Sequence, residues 1–259
     1  MFPYFILFDQ TFSMFTIMGL AGFFAALSVA YIRAKRHGIA YIDIVIGSFI
    51  AGVFLIVGAS LLNAIVRLGH FIQIFHRFEG NLLLMLQFLF GGMVFYGGLF
   101  GVFFGLWVVS KVFKQKLGFV LTLAVPVMPL AHAIMRIGCF LGGCCYGIEH
   151  QTLGIAFTRS LGAPNGVPLL PVQLFEVTFN LLLFAALWAY SKKPRRALHI
   201  VVFYGMSYGI GRFLLEFLRG DAARGFVFGL SASQFISALV ILACIIALLI
   251  AHIYKKRGN

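Results

Sequence analysis

The chain has 259 residues, of which 62% are hydrophobic and only 10% charged. A water-soluble chain of that length needs a far larger charged surface to stay dissolved, so a soluble protein is excluded. The formal net charge of +13 suggests a nucleic-acid partner, but the placement of the basic residues, taken below in chain order, excludes one.

At about 20 apolar residues per crossing, the hydrophobic runs make room for about seven transmembrane helices. The segment Met1 to Asp9 carries no Lys or Arg, so it lacks the basic start of a cleaved signal peptide and the first apolar run is expected to remain as a span. That span, near 12–32, ends on Arg33, Lys35 and Arg36. A second span is expected near 43–66, followed by a short outer loop or interfacial helix from Arg67 to Asn81 that carries His70, His76, Arg77 and Glu79. The third, near 83–109, repeats glycine every four residues at Gly97, Gly101 and Gly105, which suits close helix packing, and ends on Lys111, Lys114 and Lys116.

The fourth span, near 117–140, carries His132 and Arg136 one turn apart and runs into Gly138, Gly142, Gly143 and Gly147. Gly142-Gly143 is expected to break the helix and leave backbone groups needing partners. Tyr146 to Pro171 reads as an ordered outer loop with Glu149, His150, Arg159 and three prolines. The fifth span, near 172–190, carries Glu176 at its outer end and stops at Lys192, Lys193, Arg195 and Arg196. The sixth, near 198–218, presents Arg212, Glu216 and Arg219 on one face. The seventh, near 229–253, ends at Lys255, Lys256 and Arg257. Thirteen of the twenty basic residues thus fall in four clusters that close alternate spans. This positive-inside pattern places the N-terminus outside and the C-terminus in the cytoplasm, with anionic lipid as partner. The fold class is all-α and polytopic, with residues 1–259 forming a single transmembrane domain.

Ionisable residues within spans are costly and mark functional sites. Arg136, Arg212 and Arg219 near one leaflet suit a phosphate, which guanidinium groups bind through forked hydrogen bonds. Glu216 between two arginines fits either the geometry of such a clamp or a structural ion pair. His132 fits a general base or a packed histidine. Cys144 and Cys145 fit nucleophilic thiols near Arg136, packing residues or a vicinal disulfide. The spacing with Cys139 is not a zinc-finger pattern, because adjacent cysteines do not easily ligate one tetrahedral metal. Cys244, in an aliphatic run, fits packing.

Five blocks in register resemble the prolipoprotein diacylglyceryl transferases of bacterial inner membranes. They are FYGGLFG (Phe95 to Gly101), MRIGCFLGGCCYG (Met135 to Gly147), PVQLFE (Pro171 to Glu176), YGIGRFLLEFLRGD (Tyr208 to Asp221) and GLSASQ (Gly229 to Gln234). The resemblance implies a multi-pass protein of the bacterial inner (plasma) membrane. Its activity would move the diacylglyceryl group of phosphatidylglycerol to the lipobox cysteine of a prolipoprotein, forming a thioether and releasing glycerol phosphate. It implies Arg136 and Arg212 as the essential arginines, with Tyr96 or His132 as base. Glu216, Arg219, Gln173, Glu176, Gly97, Gly98, Gly138, Cys139, Cys144 and Cys145 would contact substrate. No cofactor and no metal are expected, since the arginines already offset the leaving-group charge. The chain departs from the family pattern at Tyr96 (histidine), Cys139 (asparagine), Gly143-Cys144-Cys145 (a glutamate), Gly58-Ala59-Ser60 (an arginine block) and Met18 (tyrosine). Two alternatives follow: a transferase of the same scaffold with another acceptor, or a non-catalytic phospholipid-binding or transport protein.

Overall fold

The computed structural model describes residues 2–8, 10–78, 80–221, 226–227 and 229–257, with only the backbone described for Leu7, Phe226, Val227 and Arg257. Asp9 and Glu79, noted above, lie outside the described residues.

A hairpin of β1 (Tyr4–Leu7) and β2 (Gln10–Ser13) leads into α1 (Met14–Lys35). Then come α2 (Tyr41–Ile74), α3 (Leu82–Phe90), α4 (Phe95–Val112), α5 (Leu117–Ala124) and α6 (Met128–Gly142). The loop after α6 holds the two-residue strands β3 (Ile155–Ala156) and β4 (Pro168–Leu169), which pair antiparallel. Helices α7 (Val172–Tyr190) and α8 (Ala197–Leu215) follow. A small ladder of β5 (Phe226–Val227) and β6 (Leu230–Ser231) precedes α9 (Ala232–Arg257). Short 3₁₀ turns extend α2 over Phe75–Phe78 and α8 over Glu216–Leu218, and one links α5 to α6. Among the described residues, seven helical segments are long and apolar enough to cross a membrane. The polytopic helical expectation therefore holds.

Two span boundaries differ from expectation. Helix α2 continues through most of the Arg67–Asn81 stretch, giving 34 residues, or about 51 Å at 1.5 Å per residue. Apolar Ile72 and Phe75 keep the helical surface lipid-like, and the Phe71, Phe78 and Phe88 rings cluster there, so little in that stretch favours a loop. The run near 83–109 is broken at Gly91-Gly92 into α3 and α4. Asn81 caps α3 by accepting from the Leu84 amide at 3.1 Å, and the buried Asn63 side chain donates to the Leu89 carbonyl at 2.6 Å. That bond satisfies a carbonyl released where α3 ends, as an apolar medium requires.

The contacts separate into two compact units, one of residues 33–121 and one of residues 1–32 with 122–259. In the first, α2 and α4 pack backbone to backbone. A Cβ added at Gly97 would meet the Gly58 carbonyl, one at Gly101 the Phe54 carbonyl, and one at Gly105 the Ala51 Cα at 2.9 Å. The four-residue glycine period is thus a packing seam. In the second, Gly22 lies against the Ala131 backbone and Gly138 against Met18 and Phe15, joining α1 to α6. Gly205 sits against the Cys244 sulfur at the α8–α9 contact, the packing role expected of that cysteine.

Gly101→Ala is expected to cost about 1–3 kcal/mol through overpacking, whereas Gly19→Ala, which meets nothing within 4 Å, is expected to be neutral. Thermal unfolding of the detergent-solubilised variants measures both.

Candidate active site: an arginine–carboxylate cluster beside three cysteines

All of the following belongs to the unit that contains α6 to α9. Glu176, one turn into α7 and 2% exposed, stands between two guanidiniums. Its Oε2 is ion-paired to Arg136 Nε from α6. Its Oε1 accepts from Arg212 Nη1 of α8 at 2.8 Å. Arg212 Nη2 reaches Glu216 Oε2 at 2.7 Å, and Arg219 Nη1 lies 3.8 Å from the same oxygen. Asp221 receives Arg219 through two bonds of 2.9 and 2.5 Å. Three guanidiniums and three carboxylates are thereby matched in charge, as burial demands. Among the described residues, the contacts of Arg136 and Arg212 use only part of the five N–H groups that each carries.

Neighbouring groups hold the cluster in place. Ser233 Oγ accepts from Arg212 Nη2 at 3.1 Å. It sits inside a reciprocal cap at the start of α9, in which Ser231 and Gln234 exchange backbone-to-side-chain bonds of 3.0 and 3.1 Å. The GLSASQ block is therefore a helix start that presents a hydroxyl to an arginine. Asn180 Nδ2 donates to the Glu176 carbonyl at 2.8 Å. Arg136 Nε also donates to His132 Nε2 at 3.3 Å, so that ring nitrogen serves as an acceptor, and the His132 ring packs against Tyr208.

The glycine pair ends α6 as expected, with Gly143 in the left-handed region at φ +69°. Cys145 then adopts φ +59°, uncommon for a residue with a Cβ. The chain next zips into a three-stranded arrangement. The Gly147 amide donates to Leu170 O and the Ile148 amide to Leu218 O, both at 2.9 Å, while the Gly220 amide donates to Tyr146 O at 3.1 Å. This ties the end of α6 to the end of α8 and to the start of α7.

Between these elements the Cys139, Cys144 and Cys145 sulfurs lie within 4.8 Å of one another. All are free thiols, so no disulfide joins the adjacent pair. Arg136 Nη1 approaches Cys139 Sγ at 3.9 Å. Hydrogen bonds from the Cys139 and Cys144 thiols hold the Cys145 thiol well below its usual range, with the positive Arg136 and Arg219 assisting and burial opposing. Cys144 is pushed the other way by the same thiol contacts. Gln173, fully buried, donates to Cys144 O at 2.6 Å, and its own carbonyl oxygen has no partner among the described residues.

Arg136, Arg212, Glu216, Arg219, Gln173, Glu176, His132 and the three cysteines come together in this unit. Gly138 is buried in α6 and faces α1 rather than the cluster. Tyr96, Gly97 and Gly98 belong to the other unit, where Tyr96 is buried and Gly97 and Gly98 pack on α2. Sequence reasoning missed Asp221, Ser233 and Asn180. Asp221 is two residues from Arg219, a signal that was available; Asn180 and Ser233 read as ordinary helix residues.

Seven apolar helical segments among the described residues, and a buried cluster of ion-paired arginines and carboxylates in the unit that contains α6 to α9, define a multi-pass membrane protein with a buried polar site. Residues 4–250 match the family model for prolipoprotein diacylglyceryl transferase, and the chain belongs to that family. It is 41% identical over 153 residues to a phosphatidylglycerol–prolipoprotein diacylglyceryl transferase of Clostridium tetani, a match covering 58% of this chain. It is 34% identical over 254 residues to one of Coxiella burnetii, covering 93% of this chain and 91% of that relative. The chain spans 61% of the length of the Clostridium tetani relative and 64% of a Clostridium perfringens one.

Glu176→Gln leaves two buried guanidiniums without their shared counter-charge. A loss of about 3–5 kcal/mol is expected, against about 1 kcal/mol for Asp221→Asn, where the carboxylate itself is 21% exposed. Unfolding of the purified variants in detergent measures the difference.

Proposed function

We propose that the chain is a transferase that moves the diacylglyceryl group of phosphatidylglycerol to the lipobox cysteine thiol of a prolipoprotein in the bacterial inner (plasma) membrane. The two units of residues 1–259 act as one functional domain, with the N-terminus outside and the C-terminus cytoplasmic. The observation that carries this reading is Glu176 holding Arg136 and Arg212 in one buried group, in a chain of this family.

Phosphatidylglycerol enters from the lipid. Arg136 and Arg212 present remaining N–H groups to its phosphate, and Glu216 and Arg219 orient them. The deprotonated acceptor thiol attacks the glyceryl carbon; the C–S bond forms as the C–O bond to phosphate breaks, and the electron pair leaves on glycerol phosphate. The guanidiniums act where that second negative charge develops, and in a low-dielectric site they do so strongly. The buried Gln173 carbonyl, without a partner among the described residues, accepts from a headgroup hydroxyl in this reading. Tyr96 and His132 are the bases that the resemblance implies, Tyr96 in the other unit and His132 beside Arg136.

The test is a transfer assay with purified protein, phosphatidylglycerol and a fluorescent lipobox peptide. A gel shift with release of glycerol phosphate is expected for the wild type. Arg136→Ala and Arg212→Lys are expected to lower the rate by about 10²–10³-fold, lysine failing because a point charge does not replace a fork. Wild-type protein that binds phosphatidylglycerol but yields no product would refute the prolipoprotein acceptor and favour a different one.

A further inference from the structure

One step of that reaction lacks an evident agent, the deprotonation of the acceptor thiol. His132 Nε2 already accepts from Arg136, and Tyr96 stands where the family has a histidine. What the chain does gather at the end of α6 is sulfur. We propose, resting on the transferase reading above, that Cys139, Cys144 and Cys145 bind Zn²⁺ through three thiolates and leave a fourth position open for the acceptor thiol.

The geometry fits. A tetrahedral zinc with Zn–S bonds of 2.3 Å sets its sulfurs about 3.8 Å apart. The three sulfurs, within 4.8 Å, reach that arrangement by shifts of under about 1 Å each. Adjacent cysteines do not easily ligate one tetrahedral metal. Here Gly143 and then Cys145 take left-handed backbone, and the turn brings Cys144 and Cys145 together beside the last turn of α6, where Cys139 sits. The loop is held from several sides. The Cys144 amide donates to Cys139 O at 3.1 Å, Gln173 holds Cys144 O, and Gly147 is bonded to Leu170. Cys139 is buried while Cys144 and Cys145 are half-buried, so the site has a closed and an open side.

The chemistry fits as well. Three thiolates select a soft or borderline cation over magnesium or calcium. With Zn²⁺ they carry a net single negative charge, and Arg136 Nη1, 3.9 Å from Cys139 Sγ, offsets it. Three protein ligands with one open position is the pattern of zinc sites that take part in reactions, whereas structural sites are closed by four. A thiol entering that position loses its proton to solvent on binding and becomes the nucleophile. Its sulfur attacks the glyceryl carbon while the C–O bond breaks toward the phosphate beside Arg136 and Arg212. The released glycerol phosphate takes up a proton, and the metal and its three ligands return unchanged, with no oxidant or reductant consumed.

The experiment uses the full chain in detergent, stripped with a chelator and dialysed. Titration with Cd²⁺, read by thiolate-to-metal charge-transfer absorbance, and with Zn²⁺, read by metal content, should each saturate at one equivalent. Binding should be lost in Cys139→Ser, Cys144→Ser and Cys145→Ser and kept in Cys244→Ser. Thermal unfolding of the metal-free variants, expected to match metal-free wild type, separates lost ligation from lost fold. A lipobox peptide should alter the Cd²⁺ absorbance, and the same peptide with serine for cysteine should not. Transfer should fall by about 100-fold or more on stripping, the scale of a lost base, and recover with Zn²⁺. Substoichiometric metal, binding that survives the serine substitutions, or transfer unchanged by stripping would each overturn the proposal. If neither stripped nor loaded protein transfers at all, the transferase reading falls instead, and the peptide-dependent absorbance alone decides the metal site.

Discussion

The Arg136–Glu176–Arg212 bridge is the interaction on which the site depends, because it makes three helices agree on one geometry. A carboxylate taken out of water is costly, and so is a guanidinium; each is tolerated here only because the other is present. Glu176 meets one guanidinium through each of its oxygens, so α6 and α8 are both fixed relative to α7. Glu216 repeats the device at lower cost, using one oxygen toward Arg212 and Arg219 along the end of α8. The result is a polar group whose internal charges cancel while, among the described residues, the N–H donors of Arg136 and Arg212 are not all consumed. That combination suits an anion that must arrive, gain charge during reaction and then leave.

The loops carry as much of this geometry as the helices. The segment 146–150 runs between 168–170 and 218–220, and each side contributes backbone hydrogen bonds. A Cβ at Gly147 would collide with Leu170 and Val172, and one at Gly220 with the Gly147 carbonyl. The glycines at these positions are therefore required by close approach of backbones. This is also why the loop after α6 holds an ordered path in an environment where free backbone groups are penalised.

Much of the fold was legible because membrane physics is coarse. Long apolar runs, the four basic clusters and the Gly142-Gly143 break each map onto a visible feature of the helices. The broken third run was not legible, since the partner that stabilises its break, Asn63, comes from a different helix and reads in sequence as an ordinary polar residue. The site was legible residue by residue through its ionisable groups, but not in its connectivity. Periodicity placed Arg212 and Glu216 together, yet nothing local to PVQLFE showed that Glu176 would lie between two arginines more than thirty residues from each other. The cysteines were the least legible. Their convergence depends on left-handed backbone at Cys145, a conformation that its residue type does not announce.

That last point bears on how the departures from the family pattern fit together. Where the resemblance implies an asparagine and a glutamate stand Cys139 and the Gly143-Cys144-Cys145 segment, whose sulfurs meet beside Arg136. The three cysteines share one location, one chemical character and a backbone arrangement that holds them together, while Glu176 holds Arg136 and Arg212. Under the proposed transferase reading, a substitution set of that kind would change the means by which a thiol is activated and leave the arginine clamp for the phosphate in place. The anion cluster and the sulfur cluster meet at Arg136, which contacts Glu176 through Nε and Cys139 through Nη1. One guanidinium thus links the arginine–carboxylate cluster to the sulfur cluster.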